Sequence, residues 1–590
     1  MALITITIAL LFLPVSLFIW SAHSLYLNVA KAKATGLPYL IRWISPINPF
    51  WLLWGSSFIR LLRRLGLASS SSNLSRIYSY GWEANERAKI HEEYGDVIFV
   101  VHPGGMQLCI ANAETIYEIL ERKNDFRRNM EEFAVLNVYG KNLSTADDGE
   151  WQRHRKMTAV TFTERNNEVV WRESLVQAGQ MLEYWTKEEG RVVRSTDKDT
   201  KVATLNVLAK ALFDKEYSFA VGVEGEKEDE AGDKSYQYRE SLSTILGSII
   251  EIWIFGEEGL KAWWIPAKWK KAGVAMATFR SYILGLMDEE RGHLRRGNTG
   301  RQHLVARLVK ASDEEELEKE DAGMMKRKAM PLTEEEMLSN LFVYAFAGND
   351  TTAIALTNLL VQLAANPDTQ EWIAEEIDHY LTTDAREAWT YDSFFKLKRC
   401  GAVLMESLRI IHPLSQLVKT TGAISQPLKI NGTTYMIPPG TSVHGSLPAL
   451  NTLSRYWGSD PMNWNPKRFI RTSDSGASAP TPSAQAPTGS TNPFAKEVLA
   501  ADTSEHFMPW AWGQRVCPGK RFSQVELVAV MAALFREWRV EPVQEKGETL
   551  EQARKRAWNA SLVVEHEGKM LHEMWKPEAV GLRWRRSKTA

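Results

Sequence analysis

Residues Ala2 to Ala22 form an apolar run without a charge, broken only by Thr5, Thr7, Ser16, Ser21 and Pro14. A helix of that length spans roughly 30 Å, the thickness of a bilayer's hydrocarbon core. No basic stretch precedes the run and no small-x-small cleavage site follows it. An uncleaved anchor is therefore preferred to a removed signal peptide. The first cations, Lys31 and Lys33, come after the run. Positive-inside asymmetry then predicts a single pass, a very short lumenal end and a cytosolic body.

A second run, Met337 to about Asn366, is apolar on almost every side and is closed by Pro367. Thr333 with Glu336 three residues on makes a capping box that opens it. Asn340, Asn349, Asp350 and Asn358 make a membrane span expensive, so the run predicts a buried central helix. A third pattern is a loop punctuated by Gly and Pro that leads into an apolar-periodic helix beginning near Pro518. Pro38, Pro46 and Pro49 read as a stiff connector behind the anchor. Three stretches read as solvated surface insertions: Glu224 to Lys234, Asp313 to Asp321, and the Ser/Ala/Thr/Pro-rich Thr472 to Asn492. The division expected is an anchor over 1–24, a connector over 25–75 and one large, mainly helical domain over 76–590 with an insertion at about 472–492.

Composition removes several alternatives. The chain has 590 residues, with 71 basic against 72 acidic, and this balance excludes a strongly basic nucleic-acid binder. Cys109, Cys400 and Cys517 stand more than a hundred residues apart. That spacing excludes a disulfide framework, paired-cysteine zinc sites and a covalent haem motif of two cysteines and a histidine.

Cys517 precedes the start of a predicted helix, in FMPWAWGQRVCPGKRF. There the helix dipole and unsatisfied N–H groups are expected to lower the thiol's pKa and favour the thiolate that binds metal. An isolated cysteine is by default a buried structural residue, but Gly513, Arg515 and Gly519 bracket this one at fixed spacing.

With those residues on hand, the sequence resembles the cytochrome P450 haem-thiolate monooxygenases, most of all fungal biosynthetic members. Trp510, Gly513, Arg515, Cys517 and Gly519 fall on the family's cysteine loop, with Trp510 in place of the usual phenylalanine. That exchange is expected to alter hydrogen bonding to the thiolate. The resemblance implies the family's fold, mainly α with small β-sheets, haem b as cofactor and Cys517 as axial ligand of its iron. Glu406 and Arg409, followed by Arg468 in PKRF, match the structural triad. Asp350 and Thr351 in AGNDTT match the pair that relays protons to the site of O2 activation, with Ala347 and Gly348 lining the oxygen pocket. Trp151 and Arg155 match positions that, with Arg515, reach the haem propionates, and Arg153, Lys156, Lys520 and Arg521 are expected to face a reductase. IPPGT, Ile437 to Thr441, matches a turn between short strands. Two departures stand out: Lys419, Thr420 and Thr421 occupy a region where a further Arg is common, and a His usual near Asn451 is missing.

The resemblance further implies electrons from NADPH through a separate NADPH–cytochrome P450 reductase, because no dinucleotide-binding glycine fingerprint or flavin segment is present. It also implies residence in the endoplasmic reticulum membrane. Trp253, Trp263, Trp264 and Trp269, with flanking lysines, are read as a membrane-resting surface over a core cluster. Phe133 to Tyr139, the start of the central helix and Leu414 to Val418 are expected to line a mostly apolar pocket for a lipophilic small molecule. Two rivals remain: a haem-thiolate isomerase or dehydratase that does not use O2, and a non-enzymatic haem sensor.

Overall fold

A computed structural model describes the whole chain except residues 1, 70, 80, 160, 225–234, 299, 322–330, 473–491, 493, 501–503, 505, 565–569 and 588–590. The first and third expected insertions lie almost wholly outside the described residues. The second is different: the helix Leu304–Asp321 continues through the acidic patch, so that stretch is not a loop.

The N-terminal helix α1 covers Ala2–Thr35 and runs past the expected end of the anchor. Its described apolar side chains Phe12, Phe18 and Trp20 are exposed. Further along, Leu25 and Ala32 are buried and Asn28 donates to His102 O, so the last turns dock on the body. Residues 25–75 are likewise fixed rather than extended as a linker. Strand β1, Tyr39–Ile41, pairs parallel with β2, Val97–His102. Buried Arg42 donates to Ile44 O, Ile77 O and Tyr78 O, and helix α2, Pro49–Arg64, is capped by Asn48 with Pro49 in its first turn.

Strand β2 continues into β3, Gly105–Ile110, and two later strands complete the sheet. Helices α3 (Asp148–Ala159), α4 (Glu164–Thr186), α5 (Thr196–Phe213), α6 (Ile249–Leu260) and α7 (Ala267–Arg295) follow, then α8 (Glu334–Ala365) and α9 (Lys398–Ile410). Strands β4 (Gln416–Thr420) and β5 (Thr441–Ser446) close a five-stranded sheet of order β1-β2-β3-β5-β4. The IPPGT turn lies where expected, between the strand Thr433–Ile437 and β5, and Gly440 supplies its positive φ of 69°. Helices α10 (Lys520–Phe535) and α11 (Leu550–Ser561) end the helical set. Helix α10 begins at Lys520 with Gly519 as its cap, two residues later than the Pro518 start expected.

Helix α8 is the axis of the core. Its capping box is present in both directions: Thr333 Oγ1 accepts from Glu336 N, and Glu336 Oε2 accepts from Thr333 N. From Met337 to Ala364 every residue is buried except Ala347, Gly348 and Thr351. Burial of each large apolar side chain along it contributes about 1.5–3 kcal/mol. The single break in that burial is the first sign of a site.

Candidate active site

The cysteine loop folds back on itself before α10. Cys517 N donates to Trp510 O at 3.0 Å, and Val516 N to Gly513 O at 3.1 Å. Ala511 and Gly513 take positive φ to make the reversal (59° and 81°). Cys517 keeps accessible surface, yet burial pushes its thiol up, against the pull of Gly519 N–H, Arg155 and Lys520. Both properties hold together for a group facing an enclosed interior space. A lowered thiol pKa was expected from the helix terminus; burial outweighs the pull of Gly519 N–H, Arg155 and Lys520 and raises it, and a thiolate here calls for a further positive charge, such as a metal's. The Trp510 expectation is also corrected. Its Nε1 donates to Ser523 Oγ at 3.0 Å on α10, so the indole N–H is spent away from the sulfur.

Ala347, Gly348 and Thr351 lie within about one turn of α8. Thr351 Oγ1 donates back to Ala347 O at 2.6 Å, the helix back-bond expected of a mid-helix threonine. Gly348 also governs a helix contact. A Cβ there would come within 2.6 Å of Leu208 Cδ1, so the glycine's first consequence is the close approach of α5 to α8. Asp350 is buried and accepts from Asn349 Nδ2 at 3.1 Å. Tyr344, one turn before Gly348, donates to Thr158 of α3 at 2.8 Å and feels both Arg155 and Cys517. The central helix, α3 and the cysteine loop thus converge.

Around the same interior lies a group of cations. Arg515 donates to Asp147 Oδ1 at 2.8 Å and Ala146 O at 3.0 Å and stacks on Trp151, 4.7 Å from the ring centroid. Its Nη1 is buried without a hydrogen-bond partner among the described residues. Two residues not singled out for this role join it. Burial, then repulsion from Arg515, lowers Arg128 to about 9. Burial, then Arg128 and Arg515, lowers Lys419 to about 8. Asp147 acts against the lowering in all three. Lys419 was visible in sequence only as a departure, and Arg128 carried no signal. The pair Arg127–Thr420, bridged with Thr420 N donating to Arg127 O at 2.8 Å, brings them together across the chain. Of the four basic residues expected to face a reductase, Arg153 is diverted: it pairs with Glu336 and Pro331 O at the start of α8.

This donor set fits haem. An accessible interior sulfur would hold iron. The clustered cations, one with an unpartnered N–H, suit two propionate carboxylates, and the opening of α8 leaves room beside them.

Behind the cysteine loop, Glu406 accepts from Arg409 through both oxygens (2.8 and 2.9 Å) and from Arg468 and Asn465 N. Arg409 also donates to Asn451 O and Pro461 O. The expected grouping of Glu406, Arg409 and Arg468 is therefore present, and fully buried at its centre. On the opposite side, Phe133, Val135, Leu136 and Val138 pack with Ile249, Ile250, Phe346 and Leu571. Arg128 stacks on Phe133 at 3.8 Å, joining the cations to this apolar wall. Leu571, from the C-terminal segment, was not expected there.

Comparison with known proteins agrees. A cytochrome P450 family model matches residues 79–570. A cytochrome P450 monooxygenase of Arthrobotrys oligospora is 29% identical, over 91% of this chain and 92% of its own length. The phomenoic acid biosynthesis cluster cytochrome P450 monooxygenase of Leptosphaeria maculans is 28% identical, over 94% of each. A crystal structure of the cytochrome P450DA heme domain shares the fold, with a TM-score of 0.62 at 17% identity, covering 86% of this chain and 93% of that one. The chain belongs to the cytochrome P450 family. Its enzyme class follows: a cytochrome P450 monooxygenase, an oxidoreductase.

Proposed function

We propose that this enzyme inserts one oxygen atom from O2 into a lipophilic small molecule of secondary metabolism, with haem b held by Cys517 and electrons from NADPH through a separate reductase. Bound haem supplies the redox iron, and a thiolate ligand directs electron density toward O–O cleavage. The remaining work falls to the chain. Arg515, Arg128 and Lys419 neutralise the propionates, assisted by Trp151 and Arg155. Thr351 presents its hydroxyl beside the opening at Ala347, and Asp350 behind it serves as the acid of a proton relay. Gly519 N–H and the reversed loop fix the sulfur, with Trp510 O accepting from Cys517 N and the indole tied to Ser523. Glu406, Arg409 and Arg468 hold the loop's supporting core.

The observation that carries this reading is that Tyr344 of α8, one turn before the only break in that helix's burial between Met337 and Ala364, feels the accessible Cys517 together with Arg155. The substrate is lipophilic because the wall from Phe133 to Val138 with Ile250, Phe346 and Leu571 is apolar. Secondary metabolism is supported by the likeness to the phomenoic acid cluster enzyme.

The chain is proposed to sit in the endoplasmic reticulum membrane with its body cytosolic. Phe12–Thr35 is long and apolar enough to span, with a mean hydropathy of 1.3. Trp263 is 90% exposed and Trp264 55%, near the exposed Phe50, Trp54 and Phe58 of α2, which packs against α6. Such aromatics suit a membrane interface. Turnover with reductase and NADPH under isotopically labelled O2 tests the reaction: one labelled atom per product is expected. Turnover that proceeds without O2 or NADPH would establish the isomerase alternative instead.

A further inference from the structure

Helix α2 is fixed to the body by one face and leaves the rest of its surface outward. Gly55 and Ile59 are buried. Trp51 Nε1 donates to Tyr78 O at 2.7 Å, and Arg63 donates to Ser75 Oγ and Ser75 O at 3.0 Å each. Phe50, Trp54, Phe58 and Leu61, spaced by four, four and three, make an exposed apolar stripe along the outer side. Arg60 and Arg64, one turn apart and both exposed, run beside that stripe.

Between this basic edge and the C-terminal segment lies a surface cavity of about 440 Å³, lined by Ser57, Arg60, Leu61, Arg64, Trp575 and Lys576. Three of the lining residues are cations and none is a carboxylate. Arg60 Nη2 donates to Ser57 Oγ at 3.1 Å, and Lys576 Nζ lies 5.5 Å from the centroid of the Trp575 ring. Lys576 takes a positive φ of 51°, a conformation uncommon for a lysine. A positively charged concavity of this kind draws an anion.

Leu61 belongs to the apolar stripe and to the cavity, so the two surfaces are continuous. A free inorganic anion would use only the cavity, and a neutral lipid only the stripe. A ligand that uses both carries acyl chains and an anionic head. Leu52 and Leu53 of α2 also pack against the apolar wall that Leu571 of the C-terminal segment joins. Both sides of the cavity are therefore elements that build the wall of the substrate pocket as well.

We propose that the cavity between α2 and the C-terminal segment seats the headgroup of an anionic phospholipid, with its acyl chains along the stripe from Phe50 to Leu61. The proposal rests on the reading that this face of α2 lies at the membrane.

The test uses the haem-loaded full chain in phosphatidylcholine nanodiscs that contain a photoactivatable phosphatidylserine, with the crosslinked peptides mapped by mass spectrometry. Labelling is expected on residues 57–64 and 575–576, displaced by unlabelled phosphatidylserine but not by added phosphatidylcholine or inorganic phosphate. Arg64→Gln combined with Lys576→Gln is expected to lower that labelling about tenfold, since each cation near an anionic headgroup contributes to the attraction. Arg64→Lys combined with Lys576→Arg is expected to keep it. A photoactivatable phosphatidylcholine is expected to label the stripe equally in all of these proteins. Undiminished phosphatidylserine labelling in the double glutamine variant, or equal displacement by phosphatidylcholine, would overturn the proposal while stripe labelling leaves the membrane placement standing. Displacement by inorganic phosphate would overturn it in favour of a site for free anions. Absence of α2 labelling by either lipid would remove the membrane reading, and the proposal with it.

Discussion

Two charged clusters flank the cysteine loop, and they are built on opposite principles. At Glu406 a single buried carboxylate meets two guanidiniums and a backbone N–H, and Arg409 spends its remaining donors on Asn451 O and Pro461 O. Around Arg515, three cations share Asp147, with Asp148 acting on Arg515 as well, and a buried N–H of Arg515 has no partner among the described residues. The first cluster is closed and electrically finished, which is what a structural clamp requires. The second is short of anionic charge, which is what a site for a dicarboxylate group requires. Burial depth alone does not separate them; the state of hydrogen-bond completion does.

The largest effect is expected where the finished cluster is broken. Glu406→Ala strands the fully buried Arg409 guanidinium and removes a partner of the partly exposed Arg468, and is expected to cost about 3–5 kcal/mol, enough to prevent accumulation of folded protein. Expression followed by thermal melting measures it; a variant with unchanged melting would refute the clamp. Next comes the unfinished cluster. Arg515→Ala is expected to fold but to retain haem poorly, seen as a fall in haem per chain after gel filtration. Full retention would show that the cations do not hold the propionates.

A pH experiment sharpens the same contrast. Lys419 is depressed to about 8 in the folded chain and titrates at about 10.4 when unfolded. Between those values the unfolded state binds the extra proton, so stability without haem rises with pH through that window. Below about 8 the full cost of the protonated ammonium is present. With haem bound, propionates favour the ammonium and the rise is expected to vanish. Urea melts across pH 7 to 10, roughly the window set by these reference values, distinguish the two states. The smallest effect is expected at Trp510→Phe, which gives up one hydrogen bond to Ser523 at a cost of about 1 kcal/mol and leaves the iron–sulfur bond in place.

The same contrast shows what was legible in sequence. Glu406 and Arg409 are one helical turn apart, and Cys517 sits among glycines and an arginine at fixed spacing, so each lies in a local motif by which the family resemblance could assign it. The central helix announced itself through its continuous apolar run and capping box. Arg128 and Lys419 did not, because each looks like an ordinary cation until the bridge between Arg127 and Thr420 brings them together. Leu208, the neighbour of Gly348 across the α5–α8 contact, was not legible because it belongs to a different helix. The cysteine's local setting suggested a lowered pKa, whereas burial imposed by the whole fold raises it. Strand β1 has three residues and too little periodicity to register, so the segment around it looked like a linker.

The central claim is that Cys517 is the proximal ligand of a haem. Its most direct test is the carbon monoxide difference spectrum of reduced membranes carrying the full chain, compared with Cys517→Ala. The account predicts the red-shifted thiolate band in the wild type and its loss in the variant. A wild-type spectrum without that band, or a variant that keeps it, would contradict the account.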